Sequence, residues 1–460
     1  MKRYYIEDFV NSRKLAVMDD GDLVDLVIEK NDASVRIKDI YAGRVERVLP
    51  GMEACFVDIG SDISGYLKLG QSSTLKVGDR VLVQVKKSDK ENKRLSLDLE
   101  ISLTGRGLVY IGGLKKPVFS KSIKDSIQRS RIRSILPSPE YLVRTRAQYM
   151  LDQDLIKEAG ILERDYQDVL DSFKKNRRIG LLRPAQSIVL EYIGDNIGVD
   201  QDEGSSDEID RIVYSVYGIE EDFNKDLRAY LKTVSSDLLL KLDKKKNTDI
   251  FEAYGINTRI GRLLSKRVDT KQGPYIIIDR TEALNIIDVN TGGFVGYSDY
   301  ETTVTMANKI AAKEIVRQIL MRDLSGIILV DFIDMKDKSV RDSLIDIINQ
   351  GLSVDERKFK VHGYTRLGLL EISRSRKSKS ILDYYEDIDP KNLSRIKSLD
   401  SVIDEIERRV QIEVYHKQNY DIKLCDILYE YRLVEIEEIF KSCQGMIKKM
   451  EVRYNVNIEK

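Results

Sequence analysis

"PYIIIDRTEALNIIDVN" (Pro274–Asn290) holds two aliphatic runs around a short polar break, "RTE". Short β-branched runs bounded by turn residues predict strands, and a connection this tight predicts an antiparallel hairpin. The second run ends on Asp288, skips one residue to Asn290, and continues into Gly292 and Gly293. Farther on, Ala307, Ile310, Ala311, Ile315, Ile319 and Leu320 recur at helical spacing, which predicts a helix over roughly Thr302–Arg322. A third aliphatic run, "GIILVDFIDM" (Gly326–Met335), follows and carries Asp331 at its end. A further helix near 338–350 and a strand in "KFKVHGYT" complete the pattern of a layered α/β domain.

Asp288 and Asp331 therefore both stand where an apolar strand stops. In a layered α/β domain such strand ends open onto a common crevice, where residues distant in sequence converge. Two carboxylates at one crevice repel unless a cation lies between them. Oxygen ligands without cysteine or histidine nearby suit a hard cation, Mg²⁺ or Mn²⁺. Asn290 would share their face and hydrogen-bond the acid, a metal-bound water or a scissile phosphate. Gly292 and Gly293 would let a bulky backbone approach. The alternative reading has each aspartate capping a turn or accepting a backbone N–H.

Composition narrows the chemistry. The 460 residues include only two histidines, His362 and His416, and no tryptophan, so a mechanism built on a histidine pair has almost no material. The three cysteines, Cys55, Cys425 and Cys443, form no CxxC pair, which argues against a disulfide framework and a structural zinc site. With 42% hydrophobic and 33% charged residues the chain reads as globular, and its length predicts two to four domains. No segment offers the roughly 18 uninterrupted apolar residues of a membrane span. The start, "MKRYYIEDF", lacks an apolar signal core, so a cytoplasmic protein is expected.

Seventy-six basic residues balance seventy-six acidic ones, so net charge names no partner. Locally, seven basic residues between Lys115 and Arg133 face only Asp125, and eight between Arg357 and Lys379 face only Glu371. Either stretch alone reads as a solvated face. Two together point to a polyanion, because clustered cations release counterions from phosphate. The stretch Asp195–Asp222 is strongly acidic and reads as a surface loop.

Toward the N-terminus, "KLAVMDDGDLVDLVIEK" predicts a β-hairpin turning at Asp20–Gly21. Between 35 and 108, "AGRVERVL", "EACFVDIG", "SGYLKL" and "DRVLVQVKK" alternate as strands of a small barrel do, in an order that resembles an oligonucleotide-binding barrel. Phe56 and Tyr66 are its candidate base-stacking rings; the alternative is that both fill the barrel core. Helical character is expected in 152–176 and through most of 184–260. A polar linker and a C-terminal α+β unit of about 60 residues close the chain.

Three long, ordered motifs, "TEALNIIDVNTG", "MRDLSGIILVDFIDM" and "TRLGLLEISRSR", resemble the ribonuclease E/G family of bacterial endoribonucleases, over essentially the whole chain. The resemblance implies that Asp288 and Asp331 bind Mg²⁺ with Asn290 assisting, and that single-stranded RNA is hydrolysed to 5′-phosphate and 3′-hydroxyl ends, in rRNA processing and mRNA decay. It implies a 5′-monophosphate sensor at Arg144 and Thr145 of "YLVRTRA"; a guanidinium fork suits a phosphate. Relatives place a Gly-rich, Arg-Arg segment across that pocket, where this chain has "KPVFSKSIKD" and Lys121 as a substitute cation. Lys358 is carried over as an RNA contact.

The implied architecture is α+β and multidomain. An OB-fold (35–108) is inserted in an RNase H-like domain (1–34 and 184–262) and followed by a 5′-sensor region (109–183). A deoxyribonuclease-I-like catalytic domain (263–376), a linker (377–398) and a small C-terminal domain (399–460) complete it. The linker, "KSKSILDYYEDIDP" at its start, lacks the CPxC zinc link of many relatives, so a homo-oligomer held by other contacts is expected, with no structural zinc. Ending at 460, the chain is expected to fall on the short, ribonuclease G side of the family. From a different class, a non-catalytic RNA-binding protein that keeps barrel and sensor is the competing reading; intact Asp288, Asn290 and Asp331 argue against it.

Overall fold

A computed structural model describes residues 1–9, 12–31, 35–61, 63–69, 75–89, 94–196, 209–216, 222–234, 236–246, 248–281, 284–293, 299–355, 357–375, 380–388 and 395–416. Most of the expected C-terminal unit, most of the acidic loop, Cys425 and Cys443 lie outside them. Among the described residues no helix is long and apolar enough to cross a membrane. The chain is a mixed α+β protein of two compact units, one of residues 1–31, 210–221 and 242–460, the other of 32–209 and 222–241.

The first unit opens with an antiparallel meander, β1 (Lys2–Asp8), β2 (Ser12–Asp19) and β3 (Asp22–Lys30). Asp20 and Gly21 take φ of 46° and 88°, the paired left-handed conformation of a two-residue hairpin turn. The expected hairpin is thus present, with β1 added to it.

The second unit contains a closed five-strand barrel: β4 (Ile40–Leu49), β5 (Ala54–Asp58), β6 (Gly65–Lys68), β7 (Arg80–Asp89) and β8 (Arg94–Asp98). Strand order is β4-β5-β6-β8-β7, and pairing of β4 with β7 closes it. Alternation puts Val45, Cys55, Val57, Leu67, Val83, Val85 and Leu97 in its core. Gly65 is needed there, since a Cβ would lie 2.3 Å from Leu97. A four-stranded sheet follows, from β9 (Ser102–Thr104), β10 (Leu108–Ile111), β11 (Val118–Phe119) and β12 (Tyr141–Val143), in the order β11-β12-β10-β9. Helices α1 (Ser126–Ile135) and α2 (Asp152–Lys175) bury Ile132, Leu155, Ala159, Leu162 and Val169 with it. Strand β13 (Gly180–Arg183) pairs back onto β4, and α3 (Ile188–Asp195), α4 (Asp222–Val234) and α5 (Ser236–Leu240) complete the unit.

Back in the first unit, β14 (Ile209–Val216) and β15 (Leu242–Lys246) extend the meander into a five-stranded sheet, β15-β14-β1-β2-β3. Helices α6 (Ile250–Ala253) and α7 (Ile256–Leu264) pack Phe251, Ile256, Ile260 and Leu263 against Tyr5, Ala16 and Leu26. The stretch 184–260 is therefore less helical than its sequence suggests. "LDKKK" has no apolar alternation because β15 is a parallel edge strand that owes its conformation to β14.

The hairpin of the opening stretch belongs to a six-stranded sheet: β16 (Arg267–Asp269), β17 (Tyr275–Arg280), β18 (Leu284–Asn290), β19 (Gly326–Asp331), β20 (Phe359–Tyr364) and β21 (Leu370–Arg374). Its order is β16-β17-β18-β19-β21-β20, with β18 and β19 parallel and the other pairs antiparallel. The crossover between the parallel strands is α8 (Tyr300–Met321), which the apolar stripe placed at 302–322. Helix α9 (Lys338–Leu352) lies beside it. Together they cover one sheet face, burying Ile276, Ile278, Ile287, Val289, Ile328, Val330, Leu370 and Ile372.

Asp323 closes α8 in a left-handed conformation (φ 55°) and accepts from Arg357 and from Arg374, 2.5 and 2.7 Å away. Arg374 also pairs with Asp355 at 2.6 Å. Two of the eight cations in the second basic stretch, buried Arg374 and half-buried Arg357, are thus structural partners. After the sheet, α10 (Ile381–Tyr385), a two-stranded pairing of β22 (Glu386–Ile388) with β23 (Arg395–Lys397), and α11 (Leu399–His416) follow.

Candidate active site

Parallel pairing of β18 with β19 sets Leu284 opposite Ile327, Ile286 opposite Leu329 and Asp288 opposite Asp331. Neighbouring strands lie about 4.8 Å apart, and in-register side chains share a face. Since Ile287, Val289, Ile328 and Val330 point into the helical core, Asp288 and Asp331 point out of the opposite face. Asp288 is half-buried and Asp331 exposed. Asn290 donates from Nδ2 to Asp288 Oδ2 at 2.7 Å, as two residues on one face of one strand allow. Partial burial, then the carboxylates of Asp288 and Asp334, push the Asp331 carboxyl above its usual range.

The donors are all oxygen, and Mg²⁺ characteristically uses one or two carboxylates while keeping several waters. Two in-register aspartates fit that pattern. Among the described residues there is no group of three or more His, Cys, Asp or Glu side chains of the sort that encloses an ion entirely in protein.

The glycines after Asn290 serve the chain itself. Gly292 and Gly293 have φ of 61° and 79°, and a Cβ on Gly292 would lie 2.4 Å from the Gly273 carbonyl. The close approach is thus between two loops of this sheet.

Sequence reasoning passed over Asn308. It is fully buried on α8, within the apolar stripe, and donates from Nδ2 to the Ile333 carbonyl at 2.8 Å. Its Oδ1 accepts from the Ile333 N–H at 3.1 Å. The amide thereby replaces a strand partner for the segment leaving Asp331, and its polar character inside an apolar stripe was the signal available.

Lys358 is exposed just before β20, and its carbonyl accepts from the Ser375 N–H at 2.9 Å. Phe359 pairs with Arg374 and Arg374 with Gly326, so Lys358 sits at the end of the sheet opposite Asp331. His362 bonds Ser373 at 2.8 Å on β20 and β21, and β21 separates it from β19. The structure brings neither residue to the carboxylates.

In the second unit, Phe56 and Tyr66 are register partners on β5 and β6, with ring centroids 6.0 Å apart and planes at 71°. Both are half-buried, while Cys55, Val57 and Leu67 between them fill the core. The rings therefore sit outside the barrel core, beside exposed Arg47, the register partner of Phe56.

Arg144 and Thr145 lie where β12 passes into a short 3-10 turn, Thr145–Tyr149. The Thr145 hydroxyl is 2.8 Å from that of Ser120, whose N–H donates to the Val143 carbonyl; exposed Lys121 comes next. Beyond it, Arg129 and Arg133 lie over the Phe119 ring, 5.8 and 5.4 Å from its centre. Arg144 donates to the Gly105 carbonyl at 2.8 Å and grips Asp195 with both Nη atoms. Nothing in the sequence pointed to Asp195 as that partner, 51 positions away.

Similarity to known proteins agrees with these motifs. The profile of the ribonuclease E/G family matches residues 102–377. Ribonuclease G of Haemophilus influenzae (strain ATCC 51907 / DSM 11121 / KW20 / Rd) is 30% identical over 439 residues, 88% of this chain and 86% of that protein. Ribonuclease G of Salmonella typhimurium (strain SL1344) is 29% identical over 444 residues, 89% of this chain and 87% of that protein. Ribonuclease E of Nostoc sp. (strain PCC 7120 / SAG 25.82 / UTEX 2576) is 31% identical over 399 residues, covering 82% of this chain and 56% of that longer protein. Motif order, barrel and matched length lead to one assignment: the chain belongs to the ribonuclease E/G family.

Proposed function

We propose that this protein is a divalent-metal-dependent endoribonuclease that hydrolyses single-stranded RNA at the Asp288–Asp331 face, leaving 5′-phosphate and 3′-hydroxyl ends. The observation that carries the reading is the in-register pairing of the two aspartates across parallel strands, in a chain similar to ribonucleases G and E. Asp288 and Asp331 would hold Mg²⁺ or Mn²⁺. When bound, such an ion lowers the pKa of a water and offsets charge growing on the phosphate. Asn290 fixes one oxygen of Asp288, so the carboxylate is oriented before any ligand arrives. Asn308 holds the backbone that leaves Asp331.

Phe56 and Tyr66 offer ring faces to bases of any sequence. Arg144, Thr145 and Lys121 form the candidate 5′-monophosphate pocket, and the Ser120 hydroxyl bonded to that of Thr145 would join it. Lys358 contacts the RNA backbone away from the reacting phosphate. The domain reading that goes with this function is an OB-fold inserted in an RNase H-like domain, a 5′-sensor and a deoxyribonuclease-I-like catalytic domain. The cellular roles are rRNA processing and mRNA decay in the cytoplasm, by a homo-oligomer.

The test is cleavage of a 5′-monophosphorylated single-stranded oligonucleotide with Mg²⁺ by the wild type and by Asp288→Asn. Equal cleavage would refute the site. Binding without cleavage by the wild type would establish the non-catalytic RNA-binding alternative instead.

A further inference from the structure

Arg144 is already occupied by a carboxylate of its own chain. Nη1 lies 2.9 Å from Asp195 Oδ1 and Nη2 lies 3.1 Å from Oδ2. This is the two-point grip a guanidinium also makes on a phosphate. Cations gather around the pair. Arg106 donates to the carbonyl of Gly194, next to Asp195 in the chain, at 3.2 Å and to that of Val234 at 3.1 Å. The Nη2 of half-buried Arg146 has no hydrogen-bond partner among the described residues. Burial, then the Arg106 cation, push its guanidinium down to about 10, against the pull of Asp195. A second carboxylate, Glu158, accepts from the Gly107 and Leu108 N–H groups at 3.0 and 2.9 Å. Among the described residues the Nη2 of Arg146 is thus a donor left over for an incoming anion, and a phosphate dianion carries more negative charge than the Asp195 carboxylate it would replace.

The Arg144–Asp195 bridge is not sealed, its side chains being 27% and 38% exposed. An incoming anion can therefore exchange with Asp195. We propose that Asp195 is a built-in competitor for the 5′-phosphate of RNA: a 5′-monophosphate reaches Arg144 only by displacing the Asp195 carboxylate. The chain then discriminates 5′-monophosphorylated from 5′-hydroxyl RNA less than Arg144 and Thr145 would unaided. The inference rests on the reading of that pair as the 5′-end pocket. Apparent affinity falls with the fraction of protein in which Arg144 is released. Neutralising Asp195 removes that competition, and a partly exposed bridge sets the gain at roughly twofold to fivefold.

The experiment compares the Kd of full-length protein for a 5′-monophosphorylated and a 5′-hydroxyl oligonucleotide of one sequence, without divalent cation so that nothing is cleaved. Wild type, Asp195→Asn, Asp195→Ser, Arg144→Ala and Arg144→Ala with Asp195→Asn are measured by fluorescence anisotropy. The ratio of the two Kd values cancels any general gain from losing one negative charge. The proposal expects the preference for the 5′-phosphate to rise in both Asp195 variants and to vanish in both proteins that lack Arg144. If Arg144→Ala abolishes a wild-type preference while the Asp195 variants leave it unchanged or reduce it, Asp195 positions Arg144 and the competitor proposal is overturned, with the sensor reading intact. If no Arg144 variant alters the ratio, the sensor reading fails and the proposal falls with it.

Discussion

Asp288 and Asp331 are register partners on the one parallel strand pair of their sheet, with Asn290 bonded to Asp288 at 2.7 Å. Like charges fixed on neighbouring strands destabilise each other unless a cation intervenes. On the proposed role of Asp331 as a metal ligand, Asp331→Asn should lower cleavage by about 10³-fold or more. Without divalent cation its melting temperature should equal or exceed the wild type's. Mg²⁺ should raise the melting temperature of the wild type and not of the variant, by mass action on the folded state. A variant stabilised by Mg²⁺ as strongly as the wild type would place the ion elsewhere.

Asn290→Ala removes the donor that holds Asp288 Oδ2. Loss of a group that orients a metal ligand typically costs about 10- to 100-fold in activity or metal affinity. The expected signature is a higher Mg²⁺ concentration at half-maximal cleavage, with part of the rate recovered at saturating Mg²⁺. An unchanged Mg²⁺ dependence with a lower plateau would move Asn290 from the ligand to the substrate.

The stretch Pro274–Asn290 was legible as a hairpin because its signals are local: two aliphatic runs, three turn residues and an acid at the exposed end. The in-register match of Asp288 to Asp331 was not, because register across α8 depends on packing that no window contains. Strand β21, "LEISR", was read only as part of a motif, since five residues with two charges carry little alternation. Phe56 was ambiguous because Cys55 and Val57 are apolar too; only the strand's two faces separate them. Charges inside the protein were the least legible. Arg374 reads as a basic-patch residue, yet Asp323 and Asp355 enclose it from 51 and 19 positions away.

Phe56 and Tyr66 should act together on RNA. Base–aromatic stacking contributes about 1–3 kcal/mol per base. Phe56→Ala and Tyr66→Ala should each weaken binding of a single-stranded oligonucleotide about tenfold. Because the rings meet edge to face at 6.0 Å, removing one releases the other. The double variant should then lose less than the two single losses combined. Strict additivity in the binding free energies would mean the rings contact separate bases independently.

Asn308→Ala strips the Ile333 N–H and carbonyl of their partner. Leaving buried polar groups unpaired costs about 1–3 kcal/mol each, so unfolding should become easier by about 2–6 kcal/mol in a denaturant titration. The segment it pins begins at Asp331, so turnover should fall by more than the unfolded fraction accounts for. A loss of stability with turnover per folded molecule unchanged would confine Asn308 to packing.

Glu7 predicts how stability depends on pH. It is buried on β1 opposite Lys14, its register partner, and accepts from the Phe251 N–H at 3.2 Å. Burial, then the Asp249 carboxylate, push its carboxyl up from an ordinary 4.5 to about 8, against the pull of Lys14. Lys14 meanwhile holds Asp404 at 2.5 Å, and Ser12 and Tyr384 also donate to Asp404. The folded state therefore keeps the Glu7 proton over a range where the unfolded chain has released it. Stability from this group is full below about 4.5 and is lost as pH rises through about 8. Glu7→Gln removes the titration while keeping the size of the side chain. The stability of the wild type minus that of the variant, from denaturant midpoints, should fall between pH 5 and pH 9 by about 4 kcal/mol. A flat difference across that range would mean that Glu7 is ionised throughout and paired with Lys14.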